Sequence, residues 1–148
     1  MEVKNLFDPA VKQDILGRLD KLTPQTQGKW GKMNVSQMLA HCQAPINVGM
    51  GNIKLKRGFL GYTIGPLIKK VLYGDKPFKQ GLPTAKEFVM KDDKDFETEK
   101  AKLLALINSF KEENITVDIH PLFGKLTREQ WSKATYKHLD HHLQQFGV

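Results

Sequence analysis

Three histidines fall within five positions near the end of the chain, in HLDHHLQQFG at 138–147. Imidazole can bind a metal ion, shuttle a proton or simply pack, and spacing separates these uses. A helix turns about 100° per residue, so His142 lies about 40° from His138 on the same face, while His141 and His142 are about 100° apart. Two imidazoles four residues apart can grip one ion from the same side. His138 with His142 is therefore the best pair, and His138 with His141 the second. A pair is short of a site, because zinc and its neighbours usually take at least three protein ligands. The remaining histidines are His41 and His120. His41 lies at the edge of an apolar stripe, where a side chain reaches into a helical core, so His41, His138 and His142 form the candidate three-histidine metal site. The competing reading makes them hydrogen-bonded core or border residues.

Four amphipathic patterns must position these residues. Asp8 and Pro9 open the first, DPAVKQDILGRLDKL, with Ile15, Leu16, Leu19 and Leu22 at helical spacing. Asn34 and Gln37 make a capping box before the second, whose stripe is Val35, Met38, Leu39, Cys42 and Ile46. Pro45 lies inside it and should loosen the helix at His41, whose carbonyl loses its partner. The third, DFETEKAKLLALINSFKEE, starts among acidic residues, as the helix dipole favours. Thr127 and Gln130 cap the fourth, which Gly147 ends. On this last helix Trp131, Leu139 and Phe146 share the inward arc with His138 and His142. Gln145 and Ala134 flank that arc, and Glu129, Lys133, Lys137, Asp140 and Gln144 fall on the outer arc. The glycine-broken stretch after residue 50 predicts one short helix over Pro66–Tyr73, then a long loop over 75–90. ITVDI at 115–119 is the sole strand candidate and has no convincing partner. The expected fold is all-α: an antiparallel four-helix bundle with a long crossing segment between helices two and three.

Length and composition set bounds. The 148 residues suit one domain, 1–148, with a single core. No apolar run is long enough to span a bilayer, the N-terminus has no signal-peptide core, and one cysteine excludes an internal disulfide; a cytoplasmic protein is expected. Net charge is +7, yet no run of five basic residues occurs and just three are arginine, which disfavours nucleic-acid binding. Cys42 reads as buried and inert, Trp30 and Trp131 as packing, His141 as surface, and His120, before a proline, as a structural hydrogen-bonding residue.

WGKMNVSQMLAHC followed by KHLDHHLQQFG resembles the DinB-like superfamily of metalloenzymes. The closest resemblance is to a branch of unknown function, through MNVSQMLAHC and HPLFGKLTREQW. It implies a four-helix bundle with a divalent transition metal held by His41, His138 and His142. Zinc, nickel, iron and manganese all remain open. Relatives often continue the pair as His-His-Arg-Gly-Gln; here Gln145 matches while Leu143 and Gln144 replace the Arg and Gly. An anion-binding role for that Arg does not carry over. Some relatives are thiol transferases, and another group isomerises a maleyl compound with a thiol cofactor.

The resemblance thus implies a metal-dependent enzyme acting on a small-molecule substrate: a thiol S-transferase or a related lyase or hydrolase, with a low-molecular-weight thiol as cofactor. The segments 58–74 and 75–90 would wall the pocket. Gln145 would orient a ligand, with Trp131, His120 and His141 as pocket residues; no general base is evident. Metal should leave as pH falls below about 6, where imidazole protonates. Two rivals stand: a non-catalytic bundle that its metal merely braces, and a binder of anionic surfaces driven by the positive charge. A homodimer is left open.

Overall fold

The computed structural model describes residues 2–56 and 58–148. It is mainly helical, with four long helices where the amphipathic patterns place them. Helix α1 spans Pro9–Asp20, with the Asp8 side chain accepting from the N–H groups of Ala10 and Val11. Helix α2 spans Val35–Gly49 behind the Asn34–Gln37 capping box, whose two bonds are 2.9 and 3.0 Å. It continues through Pro45 as one helix. Three short helices follow: α3 (Phe59–Thr63), α4 (Gly65–Ile68) and α5 (Lys70–Tyr73). Helix α6 spans Phe96–Ser109, capped by Asp95 on the Thr98 N–H. Helix α7 spans Arg128–Gln145, with the Thr127–Gln130 box at its start and Gly147 at φ +81° beyond its end. Helix α2 packs on α6 and α7, and α1 packs on the same two. Ile15, Leu19, Met38, Leu39, Ile46, Leu103, Ile107, Trp131 and Leu139 fill the space between them.

The structure departs from expectation in three further places. The single helix over Pro66–Tyr73 is two, α4 and α5, and α3 adds a third before Gly65. Short, glycine-punctuated turns leave little periodicity to read. ITVDI meets the observed strand only at Ile119: β1 (Ile119–His120) pairs antiparallel with β2 (Gly124–Lys125). Gly124, at φ +77°, turns the chain there, and two-residue strands have no alternation to detect.

The third departure concerns α7. Lys137 and Asp140 belong to the outer arc by periodicity, yet Lys137 is 1% exposed and Asp140 is buried. Helix α5 lies across α7 and covers that face. The Lys137 ammonium donates to the carbonyls of Val71 (2.6 Å) and Gly74 (2.8 Å) at the end of α5. It also sits over the Phe78 ring, 4.5 Å from its centroid. Asp140 pairs with Arg18 of α1 at 2.8 Å. A helical wheel knows one axis and cannot foresee a second covered face. Glu129 and Gln144, on the same arc beyond the crossing, remain exposed.

Candidate metal centre

Helices α2 and α7 bring His41, His138 and His142 together. One nitrogen from each lies within 4.8 Å of the other two, and the three ring centroids are 4.7–4.9 Å apart. His41 Nε2 and His138 Nε2 are 3.0 Å apart. Nitrogens held tetrahedrally by one ion at about 2.0 Å stand roughly 3.3 Å from each other. The cluster is thus near the required size before any side chain moves.

The outer nitrogens fix the protons. His41 Nδ1 lies 3.0 Å from the Phe88 carbonyl, which can only accept, so Nδ1 carries the hydrogen and Nε2 presents a lone pair inward. His142 Nδ1 lies 2.8 Å from Gln145 Oε1. The Gln145 amide donates to the Trp30 carbonyl at 2.6 Å, which sets its orientation, so His142 Nδ1 is also the donor and its Nε2 is free. Between His41 and His138, then, His138 Nε2–H donates to His41 Nε2. His138 Nδ1 is shut off from solvent with no hydrogen-bond partner among the described residues. Two of the three imidazoles hold the tautomer a ligand needs, and the third gains it by moving its proton from Nε2 to Nδ1.

Burial keeps these rings neutral. It lowers the pKa of His41 against the opposing Phe88 hydrogen bond. It brings His142 down to about 4, helped by the neighbouring His41. It holds His138 well below the ordinary imidazole value, with His142 and His41 adding repulsion. Neutral imidazoles are the ligand form. The donor set therefore fits a divalent transition metal, and the three histidines could hold one.

Gln145 hydrogen-bonds the His142 ring, and the support behind it was invisible in sequence. Gly31, at φ +85°, passes so close that a Cβ there would stand 2.5 Å from Gln145 Nε2. The Phe88 and Trp30 carbonyls are backbone groups on loops, and no residue type signals them. His141, read as surface, is half-buried with its ring between Trp30 and Phe78, 5.8 Å from each centroid and 5.2 Å from His142. It lines a cleft of about 90 Å³ with Trp30, Phe78, Lys137 and Asp140. Asp140, the one carboxylate on that lining, is tied to Arg18 and to Gln144 at 2.6 Å.

Other candidates lie elsewhere. Trp131 is two turns of α7 before His138, about 10 Å along the axis. It packs on Gly49 and on His120, 5.1 Å between ring centroids. His120 Nδ1 accepts the N–H groups of Leu122 and Phe123 and braces the β1–β2 turn. Burial lowers its pKa to about 4. Cys42 is buried beside Met38, its thiol pushed up well beyond the usual range, which keeps it protonated.

A family model matches residues 8–147, nearly the whole chain and every element of the histidine cluster. The chain belongs to the family described as protein of unknown function DUF1569. No curated protein and no solved structure matches it. Within the DUF1569 match lie both capping boxes, the three histidines and Gln145. No described helix is long and apolar enough to cross a membrane.

Proposed function

We propose that this chain is a metal-dependent enzyme acting on a small molecule, built as the antiparallel four-helix bundle of the DinB-like superfamily that its motifs resemble. The packing of α1 and α2 against α6 and α7 supports the bundle. The observation that carries the activity is the inward convergence of three neutral imidazoles, two of them, His41 and His142, with outer nitrogens fixed by Phe88 and Gln145. His41, His138 and His142 would hold the ion. A divalent ion on three neutral ligands keeps its full charge and supplies Lewis-acid chemistry, acidifying a thiol or water that reaches it.

The chain's own groups set the surroundings. Gln145 fixes the plane of His142, and the Phe88 carbonyl fixes that of His41. Trp30, Phe78 and His141 offer flat apolar and aromatic walls at the cleft beside them. Asp140 is engaged by Arg18 and Gln144, and the substrate's own acidified group would serve as the nucleophile. That arrangement suits transfer of a low-molecular-weight thiol, or a related lyase or hydrolase step.

The test is metal analysis of protein purified without a nickel column, followed by cobalt(II) substitution and titration with small thiols. Close to one equivalent of metal and a new sulfur-to-cobalt absorption on adding thiol support the reading. Less than about a tenth of an equivalent with no uptake on titration removes it. Stoichiometric metal with no spectral response to thiol or substrate analogues, and a lower Tm on chelation, would instead leave a metal that braces α2 to α7.

A further inference from the structure

The chain's charge is unevenly distributed. Residues 54–86 hold eight of the 23 lysines and arginines and one acid, Asp75; the other fifteen basic residues are matched by fifteen acids. The whole net charge of +7 thus resides in that segment, although it contains no basic run.

The same segment turns its apolar side chains outward. In α3–α5, Phe59 is 80% exposed, Tyr62 65%, Leu67 82% and Val71 51%, with Ile64 and Ile68 also exposed. In α3 and α4 glycines take inward positions: Gly61 and Gly65 are buried, and a Cβ at Gly65 would run into the Leu122 carbonyl. Close backbone approach at the glycines and the Lys137 bonds to Val71 and Gly74 hold the segment down. Leu72 and Tyr73 pack partly on the core, whereas Phe59, Leu67 and Val71 stay largely exposed. A helix that folded only to complete the core would show the reverse pattern. Contiguous exposed apolar groups ringed by lysines mark an interaction site.

We infer that α3–α5 is a docking surface for an anionic lipid bilayer, with Phe59, Leu67 and Val71 entering the interfacial layer and Lys54, Lys56, Lys70, Lys76 and Lys79 meeting the headgroups. Segments of this kind lie in the plane of the interface, joining buried apolar area to charge attraction. Charge decides between occupants. A second copy on this face would oppose two like-charged patches. Nucleic-acid interfaces are polar and give exposed Leu, Ile and Val side chains nothing to bury against.

The experiment is flotation of the full chain with vesicles of phosphatidylcholine alone, or with about 30% phosphatidylserine, at low and high salt. Binding is expected to the anionic vesicles and to fall steeply with salt. The exposed pair Phe59→Ser/Leu67→Ser and the exposed pair Lys70→Glu/Lys76→Glu should each weaken it about tenfold or more, with unchanged melting curves. No flotation at low salt overturns the inference. So does full binding by the Phe59→Ser/Leu67→Ser protein, which would reduce the effect to bare charge attraction. Tighter binding to a single-stranded RNA than to the vesicles, or a dimer in solution that these variants dissolve, would assign the face to another occupant.

Discussion

The histidine cluster and the α3–α5 segment, which both meet α7, solve opposite problems. At the cluster, polar rings are drawn inside and kept uncharged, and the outward nitrogens of His41 and His142 are satisfied by protein. On α3 and α4, Phe59 and Leu67 are pushed outside among charges, and Gly65 takes an inner position. Long capped helices hold the first; helices of five and four residues hold the second. A site that must keep three side chains within ångströms of each other needs rigid supports. A surface that must adapt to a partner does not.

The strongest way to break this contrast is to remove a ligand. His142→Ala should abolish stoichiometric metal uptake, read by elemental analysis. If uptake survived, the cluster would be mere packing. Removing the pin between the two regions comes next. Lys137→Ala leaves two carbonyls of α5 without their charged donor and should cost about 2–4 kcal/mol in urea unfolding. Hydrogen-exchange protection should fall first in α5. An unchanged unfolding midpoint would mean that α5 needs no pin.

A pH experiment sharpens the difference between buried and exposed groups. His120 titrates near 4 in the fold and near 6.5 when unfolded, so the unfolded chain takes up its proton first as pH falls. Its contribution is complete above about 6.5 and lost toward 4, of order 3 kcal/mol across that window. His120→Asn, whose Oδ1 can still accept the Leu122 N–H, should flatten that part of the stability profile measured on metal-free protein. A smaller effect is expected at Gln145→Leu. Losing the acceptor for His142 Nδ1–H should weaken metal affinity about 10- to 100-fold without abolishing binding, measured by chelator competition. The smallest is expected outside: Leu67→Ser should shift stability by under about 0.5 kcal/mol, because it removes a side chain that packs on little.

The sequence made the supports of the cluster legible because each carries a local signature. Two capping boxes and a Gly stop set the ends of α2 and α7, and 3.6-residue periodicity then aims His138 and His142 inward. His41 was legible through its place beside the stripe of Met38 and Cys42. Lys137 was not, because its burial depends on α5 crossing α7, a relation between distant segments with no trace in the periodicity of either. The carbonyls of Phe88 and Trp30 were hidden for a different reason: any residue type supplies them. His141 belongs with Lys137, since a border position becomes a cleft wall only when Trp30 and Phe78 arrive. The expected loss of metal below about pH 6 also shifts: burial holds His142 near 4, so proton competition should begin lower.

The hydrogen placement among the three rings has a calorimetric consequence. All three are neutral at pH 7, and His138 needs only to relocate its proton from one nitrogen to the other. The imidazoles thus have no proton to hand to the solvent when an ion is captured. Heats of titration should therefore carry no ligand contribution from buffer ionisation, and affinity should stay level through the neutral range.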